Sequence, residues 1–176
     1  MTKIAIVGSG LIGRAWATVF ARAGFDVALH DPAPAAARKA KAFVAKSLRE
    51  QQALGLVADA AAGARRVRVA ASLADALEGA ALVQENGPET IEAKRALYAE
   101  MDRLAGPRAI LASSTSFIRC SDFSADLPGR GRCLVAHPVN PPHLVPIVEL
   151  APAPWTDPAV VARAKRIYEK ARQVPI

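Results

Sequence analysis

Cysteine is scarce in this sequence, which contains only Cys120 and Cys133 among its 176 residues. Two cysteines are too few for a disulfide-stabilised scaffold, and neither belongs to a CxxC pair or to a histidine-rich metal-binding motif. We therefore predict that both are ordinary reduced residues and that the protein has no metal site.

Long hydrophobic runs are absent from the N-terminus as well. The apolar run Ile4–Val7 follows a single lysine and is too short for the core of a signal peptide. It is also far too short to span a bilayer. We expect a cytoplasmic protein with no membrane partner.

Aromatic residues make up only 5% of the chain, whereas apolar residues as a group make up 52% and alanine is abundant. That composition argues against disorder and suits helices packed closely against a sheet. A chain of this length fits one domain, residues 1–176, with a substantial core.

The formal net charge of +7 raises the possibility of nucleic-acid binding. The arginines, however, are scattered through alanine-rich stretches and are not interleaved with aromatic residues. We interpret them as a solvated surface that would also attract acidic small molecules, such as a dinucleotide or an acyl-CoA. We expect no nucleic-acid partner and no retention on heparin at moderate salt.

Strand-like and helix-like segments alternate along the chain. The predicted strands are Ile4–Val7, Val27–His30, Val67–Ala70, Ala81–Gln84, Ala109–Ala112, Arg132–Ala136 and Val145–Leu150. The predicted helices are Leu11–Ala23, Pro34–Leu54, a brief helix opened by Ser72–Asp75, Glu89–Leu104 and Ala159–Arg172. This alternation predicts an α/β fold of Rossmann type, with a doubly wound, mainly parallel sheet and helices on both faces.

A glycine motif joins the first strand to the first helix. The segment Gly8-Ser9-Gly10-Leu11-Ile12-Gly13 has the pattern G-x-G-x-x-G, which is weak alone but strong between a strand and a helix. Gly8 permits a tight turn, Gly10 lets the backbone approach a pyrophosphate, and Gly13 allows close helix–sheet packing. The helix N-terminus then offers N–H groups to the phosphates.

Asp31 ends the second strand, at about the distance beyond the glycine motif that dinucleotide-binding folds use. Its carboxylate can accept hydrogen bonds from both adenosine ribose hydroxyls, and it would repel a 2′-phosphate. We therefore predict NAD rather than NADP. The alternative is a glycine-rich turn in which Asp31 merely starts a helix.

A histidine and a glutamate flank a proline-rich segment. His137 closes one predicted strand and Glu149 lies in the next. If the segment folds the chain back, Glu149 could hold one imidazole nitrogen while the other takes a hydroxyl proton. A structural histidine satisfied in the core is an equally good interpretation of the spacing alone.

The polar run Ser113–Ser116 follows the strand Ala109–Ala112, at the edge where open α/β sheets hold their ligands. Its hydroxyls could orient a substrate oxygen. From the residues alone, capping of the following helix is the better interpretation.

Taken together, these motifs resemble the L-3-hydroxyacyl-CoA dehydrogenase family, and within it the λ-crystallin/L-gulonate 3-dehydrogenase branch. The resemblance covers essentially the whole chain. It rests on the glycine motif, Glu85-Asn86-Gly87-Pro88-Glu89 with Lys94, the Ser-Ser-Thr-Ser run, and His137-Pro138-Val139-Asn140 with Glu149.

The resemblance implies roles for individual residues. His137 would be the general acid/base and Glu149 its orienting partner, while Ser116 would bind the reacting oxygen and Asn140 would help to shape the site.

The resemblance also implies a cofactor role for Glu89 and Lys94, which would lie along the nicotinamide half of NAD. Without the resemblance, their spacing of five residues at a helix start suggests only a surface ion pair.

Two departures from the family pattern bear on function. The family's helical C-terminal domain, which completes the active site and forms the homodimer, is absent from this chain, so we expect a fragment that binds NAD and catalyses poorly. The Ser113–Ser116 run also carries serine where many acyl-CoA members have asparagine, which favours a substrate without CoA.

We expect an NAD-dependent oxidoreductase that oxidises the 3-hydroxyl of an L-3-hydroxyacyl-CoA or related hydroxy acid, as in fatty acid metabolism. The alternatives are an L-gulonate 3-dehydrogenase-like enzyme that does not use CoA, a stand-alone NAD-binding module without catalysis, and a structural protein of crystallin type.

Overall fold

The computed structural model of the chain describes residues 2–176. Its strands are β1 (Lys3–Val7), β2 (Asp26–His30), β3 (Val67–Val69), β4 (Ala80–Glu85), β5 (Ile110–Ser113), β6 (Cys133–Pro138), β7 (Ile147–Pro152) and β8 (Val174–Pro175). Its helices are α1 (Leu11–Arg22), α2 (Pro34–Ala53), α3 (Ala60–Arg65), α4 (Leu73–Leu77), α5 (Ile91–Leu104), α6 (Cys120–Ser124) and α7 (Pro158–Lys170). A single 3₁₀ turn, Arg130–Arg132, precedes β6.

The strands form one sheet in the order β3-β2-β1-β4-β5-β6-β7-β8. The pairs from β3 across to β6 are all parallel, whereas β7 runs antiparallel to β6. The predicted doubly wound, mainly parallel sheet is therefore confirmed. The strand order reverses between β1 and β4, and open sheets of this kind hold their ligands outside the carboxyl ends of the strands at that point.

Helices cover both faces of the sheet, because its central strands are apolar on both sides. Ile4 and Ile6 of β1 face a core formed with α1, α2, α3 and α7. Ala5 and Val7 face the opposite core, formed with α4, α5 and α6. Both faces of β1 are thus buried, which leaves the strand ends as the exposed edge.

Most predicted elements are found within one or two residues of their expected ends. The short helix α3 was not predicted, because it is too short to show a helical apolar period. A helix was expected to follow the Ser113–Ser116 run, and α6 is found there, beginning at Cys120. Near the C-terminal end, Val174 and Pro175 pair with β7.

One boundary changes the interpretation of the site. Helix α5 was expected to begin at Glu89, but it begins at Ile91, and the Thr90 side chain caps it by accepting a hydrogen bond from the Ala93 N–H. Glu89 therefore lies in the loop before the helix, where its carboxylate can reach a neighbouring strand end.

Both cysteines are buried and free of disulfide bonds, as predicted. Burial raises the pKa of the Cys120 thiol to about 11 and raises that of Cys133 further. Among residues 2–176, no cluster of three or more metal-ligating side chains is found, and no helix there is long and apolar enough to cross a membrane.

A buried ion pair that joins α5 to the turn before β6 allows a prediction about stability. The Asp102 carboxylate accepts hydrogen bonds from the Arg132 Nη2 at 2.7 Å and from the Gly129 N–H at 3.0 Å. Both charged side chains are at most 10% exposed. Asp102→Ala leaves a buried guanidinium charge without its partner, so we expect the free energy of unfolding to fall by about 3 kcal/mol in chemical denaturation.

Glu50→Ala is the matched control, because Glu50 pairs with Lys46 at 3.7 Å with both side chains more than 60% exposed. Its effect should stay within about 0.5 kcal/mol. Equal effects of the two substitutions would contradict a structural role for the buried pair.

Candidate functional site

Two of the three motif glycines are required by packing within the protein. Gly8 has a φ of +88°, and a Cβ there would lie 2.6 Å from the Asn86 carbonyl oxygen. A Cβ on Gly13 would lie 1.9 Å from the Gly8 carbonyl oxygen. Side chains at these positions would therefore force the turn away from both β4 and α1.

Gly10 is different, because a Cβ there would meet no protein atom within 4 Å. Helix α1 begins at the next residue, Leu11, and among the described residues no side chain caps it and no acid occupies its first turn. The helix N–H groups and the positive end of its dipole therefore face open space. A pyrophosphate fits this cradle, and the bare backbone of Gly10 allows its close approach.

Leu11 and Ile12 supply the first helical residues after this cradle. The Leu11 side chain is 71% exposed, whereas Ile12 packs partly against the core beneath α1. Because both side chains are apolar, only the backbone N–H groups of these two residues can donate hydrogen bonds to the phosphates.

Asp31 is tied to the glycine turn. Its Oδ2 accepts a hydrogen bond from the Ser9 N–H at 2.8 Å, and its Oδ1 accepts one from the Ala33 N–H at 2.9 Å. The N-cap of α2 is Ala33, so Asp31 is not simply a helix-start residue. Each carboxylate oxygen keeps a further lone pair, and these can accept from ribose hydroxyls.

A polar network that was not predicted fastens β4 to the same turn. The Asn86 amide donates to the Val7 and Gln84 carbonyl oxygens, at 3.3 and 2.9 Å. Its Oδ1 accepts from the Ser114 hydroxyl at 2.8 Å, and Ser114 in turn accepts from the Trp16 indole at 3.1 Å. Asn86 thereby holds the ends of β1 and β4 at a fixed separation.

His137 and Glu149 face each other across the β6–β7 ladder. The His137 Nδ1 lies 2.7 Å from the Glu149 Oε2. The His137 side chain is 26% exposed, so the interpretation as a histidine satisfied in the core is wrong. The proline-rich segment brings the pair together as the spacing suggested.

Ser116 lies on the other side of the imidazole, with its Oγ 3.1 Å from the His137 Nε2. The capping interpretation of the Ser113–Ser116 run is wrong, since α6 begins at Cys120 and has the backbone of Arg119 as its N-cap. A line of side chains, Ser116–His137–Glu149, therefore crosses the exposed edge of β5, β6 and β7.

Glu89 organises the loop that carries Ser116. Its Oε1 accepts hydrogen bonds from the Thr115 hydroxyl, from the Ser116 N–H at 2.9 Å and from the Phe117 N–H at 3.3 Å. The Glu89 side chain is 42% exposed and stands at the carboxyl edge of the sheet. Its position in the loop before α5 makes this contact possible.

Lys94 is buried, with 1% of its side chain exposed, so the alternative of a surface ion pair is wrong. Its Nζ lies 3.0 Å from the Glu85 Oε2 and 3.5 Å from the Glu89 Oε2. Glu85 is fully buried and also accepts hydrogen bonds from the Ser113 hydroxyl at 2.6 Å and the Gly87 N–H at 2.5 Å. One lysine thus joins a buried carboxylate to a half-exposed one.

These contacts set the charge of Glu89. Burial alone would raise the pKa of its carboxyl, but the hydrogen bonds from Thr115 and Ser116, together with Lys94, outweigh burial and lower that pKa below its ordinary value. Glu89 is therefore ionised at neutral pH, as an acceptor for backbone N–H groups should be.

Asn140 is the predicted site residue that the structure does not join to the others. It lies on the exposed loop after β6 and makes no hydrogen bond to any of residues 2–176. Glu85, in contrast, was part of a recognised motif but received no role. The signal was an acid at the end of a strand whose first four residues are apolar, because a buried charge needs a partner.

The Ser116–His137–Glu149 line opens into a cavity of about 480 Å³. Its remaining lining is largely apolar and includes Phe117, Val135 and Ala153. A small organic substrate fits such a space, with a few polar groups to orient it.

Comparison with known proteins agrees with this geometry. The family model described as "3-hydroxyacyl-CoA dehydrogenase, NAD binding domain" matches residues 3–176. The λ-crystallin homolog of Bos taurus is 41% identical over 176 residues, covering 98% of this chain and 55% of that protein. An L-carnitine dehydrogenase of Streptomyces griseus is 38% identical over 166 residues, covering 94% of this chain and 49% of that enzyme.

Solved structures show the same fold. The 3-hydroxybutyryl-CoA dehydrogenase of Escherichia coli superposes with a TM-score of 0.94 at 25% identity, covering 99% of this chain and 37% of that one. An (S)-3-hydroxybutyryl-CoA dehydrogenase from Ralstonia eutropha gives a TM-score of 0.94 at 28% identity, covering 100% and 62%.

The chain spans about half the length of the two relatives compared by sequence. The family match nevertheless extends over nearly all of the chain, and it includes the glycine cradle, Asp31 and the Ser116–His137–Glu149 line. This chain belongs to the 3-hydroxyacyl-CoA dehydrogenase family, of which it is an NAD-binding domain.

Proposed function

We propose that this chain is the cofactor-binding and proton-transferring part of an NAD-dependent dehydrogenase that oxidises the 3-hydroxyl of a hydroxy acid or an L-3-hydroxyacyl-CoA. One observation carries the proposal. The Ser116–His137–Glu149 line lies on the same carboxyl edge of the sheet as a glycine turn and an aspartate that fit a dinucleotide.

The side chains of the line suit removal of a hydroxyl proton. The Ser116 Oγ can hold the substrate oxygen close to the His137 Nε2, which takes the proton as the C–O bond becomes a carbonyl. The carboxylate of Glu149 holds Nδ1 and stabilises the imidazolium that results. NAD, when bound, accepts the hydride from the carbon that bears this oxygen.

The cofactor would be held at three points. The α1 N-terminus with Gly8, Gly10 and Gly13 would bind the pyrophosphate, and Asp31 would bind the adenosine ribose. Glu89 would lie along the nicotinamide half. The contribution of Lys94 would pass through Glu89, because the lysine itself is buried.

Several further expectations belong to the complete protein. Asn140 would shape the substrate site, a helical second domain would complete it and form a homodimer, and the location would be cytoplasmic. The relatives support a hydroxy-acid or acyl-CoA substrate, since one is named for L-carnitine and another for 3-hydroxybutyryl-CoA. A stand-alone NAD-binding module is the second candidate, and turnover measurements separate the two.

Asp31→Ala tests the proposed cofactor site, because it removes the carboxylate that would accept hydrogen bonds from the ribose. In calorimetric titration of this chain, the Kd for NAD should rise by about 10- to 100-fold, because hydrogen bonds to a charged group contribute about 1.5–3 kcal/mol. The preference for NAD over NADP should shrink at the same time, because the like charge is gone.

Asp126→Ala makes the same change of charge at an exposed position and should leave both affinities unchanged. If Asp31→Ala binds NAD as tightly as the unaltered chain does, the assignment of the ribose contact is wrong.

His137→Asn tests the proposed catalytic role, because it removes the base while keeping a polar side chain. In the complete gene product, kcat should fall by about 10²- to 10⁴-fold, the range that general acid–base groups supply. NAD affinity should be retained, since His137 lies outside the glycine cradle. Turnover at the unaltered rate would contradict the assignment of the base.

A further inference from the structure

The cavity beside His137 contains one side chain with a permanent positive charge among its lining residues, all of which are described. That residue is Arg119, three positions after Ser116 in the chain, and its side chain is 81% exposed. Glu149 is the only carboxylate of the lining, and its Oε2 is already engaged by the His137 ring. The cavity is therefore lined by one cation as well as by the proposed proton-transferring pair.

The Arg119 guanidinium is held at one edge and open at the other. Its Nε donates to the Asp122 Oδ2 at 3.2 Å. Neither Nη1 nor Nη2 makes a hydrogen bond to another residue in the described range 2–176. Two parallel N–H groups on one edge of a guanidinium match the two oxygens of a carboxylate.

The backbone of Asp122, the partner of Arg119, is itself held in place. The Asp122 N–H donates to the Arg119 carbonyl oxygen at 2.9 Å in the first turn of α6. The Asp122 carbonyl oxygen accepts from the Arg95 Nε on α5 at 2.8 Å. The backbone of Asp122 is thus held by contacts to α5 and within α6, and its carboxylate gives the Arg119 Nε a partner.

We propose that Arg119 is a specificity-determining residue that binds a carboxylate of the substrate. The substrate class is then a hydroxy acid with a free carboxylate group, rather than a thioester whose carbonyl near the reacting carbon is neutral. This inference rests on the proposed dehydrogenase function, because it assumes that the reacting carbon lies beside Ser116 and His137.

Three ketones that differ only in the group at C1 test the inference by reduction with NADH. They are acetoacetate, ethyl acetoacetate and acetoacetyl-CoA, assayed with the complete gene product. We expect acetoacetate to have the highest kcat/KM. Arg119→Leu should raise the KM for acetoacetate by about 10- to 100-fold while kcat changes little, because a charge-assisted bidentate contact is lost.

The KM for the ester should barely change in Arg119→Leu, and Arg119→Lys should recover part of the affinity for acetoacetate. Arg103→Ala, which removes a charge from the exposed C-terminal end of α5, is the control and should leave all three substrates unaffected.

If the ester or the thioester is reduced efficiently, and Arg119→Leu does not change that rate, the inference is overturned while the dehydrogenase function stands. If none of the three ketones is reduced, the proposed function fails on these compounds. Calorimetric binding of acetoacetate to the NADH complex, with and without Arg119→Leu, then decides separately whether the arginine binds a carboxylate. Equal affinity in the two proteins, or no binding to either, would overturn its role.

Discussion

The buried ion pair between Glu85 and Lys94 is the interaction on which the rest of the site depends. Lys94 extends from α5 to the end of β4, where burial of a charge is costly unless it is paired. Because a buried pair contributes little net stability, we interpret this one as a positioning device. It places the Lys94 ammonium beside the Glu89 carboxylate. Glu89 then accepts hydrogen bonds from the Thr115 hydroxyl and from two backbone N–H groups of the loop that carries Ser116.

Strand β4 connects the two halves of the site through adjacent residues. Glu85, at its end, supports the proposed catalytic side through Lys94. Asn86 supports the proposed cofactor side, because it holds the Gly8 turn and accepts from Ser114. The strand lies beside β1, where the strand order reverses. A dinucleotide at this switch point therefore meets, at one edge of the sheet, both the phosphate cradle and the residues that would move a proton.

The parts of this arrangement that follow from local rules could be predicted from the sequence. A strand, a G-x-G-x-x-G turn and an acid at the end of the next strand define the cradle without long-range information. The alternation of strand-like and helix-like segments along the chain predicted the doubly wound sheet. The His137–Glu149 pair could be predicted only as one of two equally good interpretations, because the spacing does not show whether the proline-rich segment turns the chain back on itself.

The parts that depend on tertiary contacts could not be predicted. Nothing local shows that Lys94 is buried, because the cost of burying it is offset by Glu85, nine residues earlier in the sequence but on a different element. The start of α5 at Ile91 depends on the Thr90 cap, and Glu89 could not be placed opposite Ser116 without that boundary. The open edge of Arg119 likewise depends on Asp122 and on the cavity that β6 and β7 form.

Amide hydrogen exchange at Ser116 and Phe117 tests the positioning role most directly. The comparison is between the unaltered chain and the double variant Glu85→Gln/Lys94→Met, in which the buried charges are removed while an acceptor remains for the Gly87 N–H. We predict that the variant folds but that both amides lose protection, because Glu89 no longer has a cation to hold it against the loop. Protection of both amides at the unaltered level in the folded variant would contradict the account.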